Sequence, residues 1–311
     1  MIYKSILTIS SEKSRLDGRS INGYHRIGVS IMQVTESCAE CLYKRQLRKT
    51  DNEECLAEIR AVIDNRTDDD PAPYLVYQFN QIYLKYFGSV ASFRDEKKQY
   101  NDLVLSMEDA LREKINRPDD PLLTAFSYAR AGNYIDFGAL SDVDEKTFLS
   151  LLERDELSDN DLQTFEAFAN QCETVKNLLL LADNCGEIVL DKLFLEQLKK
   201  RYPQLELSVM VRGGEVLNDA TVEDAEYAGL GGVAEIISSG VGVSGTVDKM
   251  LSEEAKSALD NADVILSKGQ GNYEALSGQG RHIFYSFLCK CERFTTRFSV
   301  PKLTGMFVEE I

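Results

Sequence analysis

From Asn177 onward the chain is a series of short apolar runs, each closing in a polar or glycine-rich turn and most followed by a stretch of helical periodicity. Leu178 to Ala182, Leu205 to Val211, Glu235 to Ile237, Val264 to Leu266 and Ile283 to Leu288 read as strands. Helices are expected between them near Ile188 to Arg201, Thr221 to Gly229 and Val247 to Ala262. Such alternation implies an α/β fold with a mostly parallel sheet covered by helices on both faces. Ligands of these sheets bind beyond the carboxyl ends of the strands, so functional residues are sought directly after each run.

The preceding half is built differently. Six of the 20 glycines precede Gln171 and fourteen follow it, whereas four of the six prolines stand at 71, 73, 118 and 121. Helices are expected at Glu53 to Asn65, Tyr74 to Phe87, Gln99 to Asn116, Asp144 to Asp155 and Asn160 to Thr174, separated by Asp, Pro and Gly. A length of 311 residues favours two packed units: a helical domain over 32–175 and a three-layer α/β/α Rossmann-like domain over 176–311. Residues 1–31 hold five Lys/Arg against two acids and read as an extension, with Met32 an alternative start.

Composition narrows the partners. With 35 basic and 51 acidic side chains the net charge is −16, which repels phosphate backbones at long range and argues against nucleic acid. No apolar stretch approaches the roughly 18 residues of a membrane span. Seven cysteines without a secretory leader suggest reduced thiols and a cytoplasmic protein. A small phosphorylated metabolite stays compatible, because a metal ion or one lysine outweighs the global field at contact distance.

Chemistry gathers after the strands. The first is followed by Asp183-Asn184-Cys185-Gly186-Glu187, a carboxylate and an amide suited to a hard cation; alone, such a pair more often merely caps the following helix. After the second comes Arg212-Gly213-Gly214-Glu215-Val216-Leu217-Asn218-Asp219, a second such pair. Three oxygens from the two loops could converge on one open cation site. The stretch Ser239-Gly240-Val241-Gly242-Val243-Ser244-Gly245-Thr246 is a plausible phosphate cradle. In the fourth loop, Lys268-Gly269-Gln270-Gly271-Asn272-Tyr273-Glu274, the lysine could neutralise phosphate oxygens or simply be solvated.

Taken in this order, these motifs resemble the damage-control phosphatase family, first catalogued as a domain of unknown function. The likeness runs from about Cys38 to the C-terminus and includes Ala131-Gly132-Asn133-Tyr134-Ile135-Asp136-Phe137; Cys38-Ala39-Glu40-Cys41 resembles its microbial branch. The resemblance implies a metal-dependent hydrolase of small phosphate monoesters such as sugar phosphates, nucleotides or damaged phosphometabolites. By matching motif, Asp183, Asn184 and Asp219 would hold Mn²⁺, Co²⁺, Ni²⁺ or Mg²⁺, and Lys268 would bind phosphate. Asn133, Asp136, Glu187, Gly245 and Thr246 would contact substrate, with Tyr74, Tyr77 or Tyr134 lining the pocket. The sequence departs from the family at Glu215, where the motif usually carries proline or another uncharged residue.

Two other readings follow from the residues. Glycine-rich strand-to-helix turns also serve a Rossmann-type nucleotide or methyl-donor binding protein, although no GxGxxG follows the first strand. Cys38 and Cys41, with Cys289 and Cys291, could supply a structural zinc site. His25 and His282 offer no pattern for acid–base chemistry.

Overall fold

A computed structural model describes residues 32–137, 149–150, 152 and 156–311, with only the backbone of Asp136 and Phe137. The extension over 1–31 and most of the helix expected over Asp144 to Asp155 lie outside the described residues. Six helices open the described chain: α1 (Glu36–Gln46), α2 (Glu53–Asp64), α3 (Ala72–Phe87), α4 (Arg94–Ser106), α5 (Glu108–Ile115) and α6 (Pro121–Ala131). A 3₁₀ turn over Gly132–Phe137 and a helix over Asp159–Cys172 lead into the sheet.

The strands are β1 (Asn177–Leu181), β2 (Glu206–Val211), β3 (Glu235–Ser238), β4 (Val264–Lys268), β5 (Ile283–Leu288) and β6 (Gly305–Glu310), in the order β3-β2-β1-β4-β5-β6. All neighbours are parallel except β5 and β6. Strand order reverses between β1 and β4, so their crossover helices leave toward opposite faces and a crevice opens at their carboxyl ends. Leu178, Leu180, Val209, Leu266 and Phe284 point into one apolar layer, while Leu179, Leu181, Met210, Ile265 and Tyr285 point into the other. This period of two, apolar on both sides, is what a sheet buried on both faces demands.

Differences from the sequence reading have local causes. The helix expected over Gln99 to Asn116 begins at Arg94 and breaks at Met107, where Ser106 Oγ donates 2.7 Å to the Leu103 carbonyl in competition with the helix ladder. Helix α6, not anticipated, starts at Pro121 with Asp120 Oδ1 accepting from the Leu122 and Leu123 amides. The helix expected from Val247 begins only at Glu253, capped by Ser252 after a 3₁₀ turn over Asp248–Met250. Among the described residues no helix is long and apolar enough to cross a membrane.

Candidate active site

The loops leaving β1 and β2 are stitched together at the sheet's carboxyl edge. The Ala220 amide donates to the Asp183 carbonyl at 2.8 Å, the Cys185 amide donates to the Asn218 carbonyl at 2.9 Å, and Asn184 and Asp219 form an isolated antiparallel bridge. Backbone pairing therefore sets Asp183, Asn184 and Asp219 side by side, the three proposed cation ligands. The exit of β4 closes around them: Gly269 has φ +80°, and a Cβ there would lie 2.0 Å from Asp183 Oδ2. Only glycine combines that conformation with so close an approach.

Each carboxylate is held by named donors. Asp183 Oδ2 accepts from Asn133 Nδ2 at 3.0 Å and from Asn184 Nδ2 at 2.8 Å. Asp219 accepts from Arg212 Nε at 2.7 Å and from Ser244 Oγ at 3.0 Å. Burial, with the charges of Asp219 and Glu187, pushes the Asp183 carboxyl up to about 7, against Lys290 and Arg212. Two buried acids in mutual repulsion, with an amide beside them, fit a hard divalent cation, whose charge would relieve both acids. Among the described residues no group of three or more His, Cys, Asp or Glu is placed to hold an ion, so amide, water and substrate oxygens would complete the shell.

Asp183, Asn184, Asn218, Asp219, Ser244 and Lys290 border a cavity of about 370 Å³, together with Glu274 and Lys302. Lys268 is not among its lining residues. It is 1% exposed, and its Nζ reaches Asp191 Oδ1 at 2.6 Å, Glu187 Oε1 at 2.7 Å and the Ala129 carbonyl at 3.0 Å. Two hydrogen bonds and an ion pair engage the ammonium, so the expected phosphate contact gives way to a buried cation beneath the site. Against the cost of burial, Lys268 and hydrogen bonds from Asn133 and Asn184 hold Glu187 below the usual carboxylate range. Glu187 Oε2 in turn accepts from Asn133 Nδ2 and Asn184 Nδ2, both at 2.9 Å. That double contact turns the Asn184 carbonyl oxygen to the opposite edge of its amide.

The glycine-rich loop after β3 also differs from a cradle. Gly245 lets the chain pack on Gly271, whose carbonyl oxygen a Cβ would meet at 2.7 Å. Thr246 is fully buried and donates to Asn272 Oδ1 at 2.9 Å, which also accepts from Arg212 Nη1 at 3.1 Å. Only Ser244 of that loop borders the cavity. From the helical half the lining is Leu42, Arg45, Ala72, Pro73 and Val76 rather than tyrosines. Tyr74 packs under Lys249 and Tyr134 donates to the Leu303 carbonyl. The Asp136 side chain lies outside the described residues.

Lys290 and Lys302 escaped the sequence reading, although Lys290 follows β5 as directly as Asp183 follows β1. Glu215 is balanced by Lys97 Nζ at 3.2 Å, which also pairs with Asp224 at 2.7 Å. Its charge thus ties the β2 loop to α4 instead of facing the cavity. Of the cysteines considered for zinc, Cys289 lies in the apolar core, while Cys38, Cys41 and Cys291 line a neighbouring cavity.

The helix start after β1 is covered by protein. Asn101 Oδ1 accepts the Gly186 amide at 2.6 Å, and a Cβ at Gly186 would meet Ile135 and Tyr100. No room is left for the pyrophosphate that a dinucleotide fold seats there.

Residues 25–303 match the family model described as the damage-control phosphatase ARMT1-like domain. A damage-control phosphatase of Archaeoglobus fulgidus is 28% identical over 276 residues, 84% of this chain and 93% of that protein. One of Pyrococcus horikoshii is 30% identical over 227 residues, 72% of this chain and 76% of that protein. The crystal structure of a DUF89 family protein from Pyrococcus horikoshii superposes with a TM-score of 0.73 at 25% identity, covering 89% of this chain and 99% of the other. The chain is a member of the damage-control phosphatase ARMT1-like family.

Proposed function

We propose that this protein hydrolyses small phosphate monoesters, among them sugar phosphates, nucleotides or damaged phosphometabolites, with a divalent cation held by Asp183, Asn184 and Asp219. The observation that carries the reading is the bridged pair Asn184 and Asp219 beside buried Asp183, on a cavity that also bears Lys290 and Lys302. When bound, Mn²⁺, Co²⁺, Ni²⁺ or Mg²⁺ supplies Lewis-acid stabilisation of phosphoryl charge. The chain's own groups do the rest. Arg212 and Ser244 orient the Asp219 carboxylate, and Asn133 orients Asp183. Lys290 and Lys302 balance the negative charge of the phosphoryl oxygens. Lys268 acts one layer away, by fixing Glu187 and through it Asn133 and Asn184. Seven free cysteines accord with a reducing, cytoplasmic setting for such metabolite repair.

The test is phosphate release from an aryl phosphate and a panel of sugar phosphates, with chelated protein and with each metal restored. Metal-restored turnover is expected in the wild type, with a loss of about a hundred- to a thousandfold in Asp183→Ala and Asp219→Ala, the order of removing a principal electrostatic contribution. Folded wild type that releases no phosphate with any metal would end this reading.

A further inference from the structure

A second cavity of about 550 Å³ adjoins the first and shares part of its wall, including Arg45, Gln270 and Glu274. Its remaining lining brings in Arg293 and Arg297 from the helix Glu292–Phe298. Three arginines thus line one hollow against two acids, Glu274 and Glu292, in a chain whose total charge is −16, although the Arg297 guanidinium also lies over the Tyr273 ring. Arg293 and Arg45 both act electrostatically on Glu274, so the positive groups and this carboxyl share one neighbourhood. The same wall carries Leu42, Ala72 and the thiols of Cys38, Cys41 and Cys291, with the hydroxyls of Thr35, Ser37 and Thr296. A wall that combines aliphatic side chains, thiols and guanidiniums suits a ligand with a carbon chain ending in an anion, because the planar fork matches phosphate and carboxylate oxygens.

We propose that this annex receives a second anionic group on the far end of the substrate, so that phosphate esters bearing two anionic groups are preferred over those bearing one. The inference rests on the phosphatase reading, since it takes the scissile phosphate to lie in the first cavity. A substrate with one phosphate and a neutral remainder fills only the first cavity; one ending in a second phosphate or a carboxylate reaches the arginines as well.

The probes are the monophosphate and the bisphosphate of one short alkanediol, and the phospho-carboxylate of equal chain length, with metal-loaded wild type, Arg293→Gln and Arg293→Lys. For wild type, KM for at least one probe with two anionic groups is expected about tenfold below that of the monophosphate. Which of the two gains more tells phosphate from carboxylate. Arg293→Gln should abolish the preference while leaving the monophosphate KM unchanged, and Arg293→Lys should restore part of it. Equal KM values for all three probes in the wild type, or a loss in Arg293→Gln common to all three, would overturn the proposal. If no probe is hydrolysed at all, the phosphatase reading fails instead. Calorimetric titration with the bisphosphate then decides about the annex: weaker binding to Arg293→Gln supports it, and equal binding sinks it.

Discussion

Lys268 separates a motif's chemistry from its place in the fold. Its Nζ lies between two carboxylates and a carbonyl, and burial lifts the Asp191 carboxyl to about 7 even against the neighbouring ammonium. Removing the ammonium would leave Glu187 and Asp191 buried without a counter-charge. Lys268→Met is expected to lose about 3–5 kcal/mol in denaturant unfolding. A lysine that met only phosphate would instead raise KM and leave stability almost unchanged. Glu274 offers a second test. Burial lifts its carboxyl from 4.5 to about 7, against Arg293, the hydrogen bond from Gln270 and Arg45. The folded state therefore holds an extra proton between those two pKa values, and the contribution of this group to stability falls as pH rises through the window. Glu274→Gln should be more stable than wild type near pH 8 by about 1 kcal/mol, allowing for partial exposure, and should match it near about pH 4. A thermal-unfolding difference that does not vary with pH would contradict this.

At the scale of elements, the turns that carry the site are set by close backbone approach. Gly269 and Gly280 share a left-handed φ, +80° and +74°, but a Cβ at Gly269 meets Asp183 at 2.0 Å whereas one at Gly280 meets nothing within 4 Å. Gly280→Ala should cost about 1 kcal/mol of stability and leave activity intact. Gly269→Ala should cost more and lower metal-dependent turnover by at least about tenfold, because the displaced atom is a proposed ligand. Similar effects of the two substitutions would show that backbone conformation alone matters. The same scale explains what was legible. Five strands are legible as short apolar runs closed by polar or glycine-rich turns, since run length and its punctuation are local information. Helix α6 was not, because Leu122, Ala125, Phe126, Tyr128 and Arg130 are buried around most of its circumference and leave no one-sided stripe. Strand β6 was missed because pairing with β5, not its own pattern, makes it a strand.

Across the whole molecule, one apolar cluster joins the helical half to the sheet. Val104, Leu111, Phe126 and Phe168 pack in the same layer as Leu178, Leu180, Phe284 and Phe307. Phe168 sits between Phe194, Phe284 and Phe307, with ring centroids 6.2, 5.3 and 6.2 Å away. Phe168→Ala is expected to destabilise the protein by about 3–5 kcal/mol. Because the lost contacts belong to both halves, calorimetry should show one transition moving as a unit. Two separate transitions, only one of them shifted, would mean that the halves fold independently. Helices α1 to α3 enclose a smaller cluster of their own around Ile59, Leu75 and Phe79, and contribute Leu42, Arg45 and Pro73 to the cavity wall.

The sequence by itself determined the α/β architecture and the identity of the acid and amide residues at the tips of β1 and β2. Both are local properties: periodicity declares the strand, and a polar pair directly after it inherits the strand's end. Which cations face the cavity was decided only by the tertiary structure. Lys268 and Lys290 each stand at or just beyond the end of a strand, yet Asp191 and Ala129, distant in the chain, draw the first ammonium inward. Lys290 and Lys302 border the cavity instead. A long flexible side chain goes wherever its charge is best matched, and the matching groups are assembled by long-range packing.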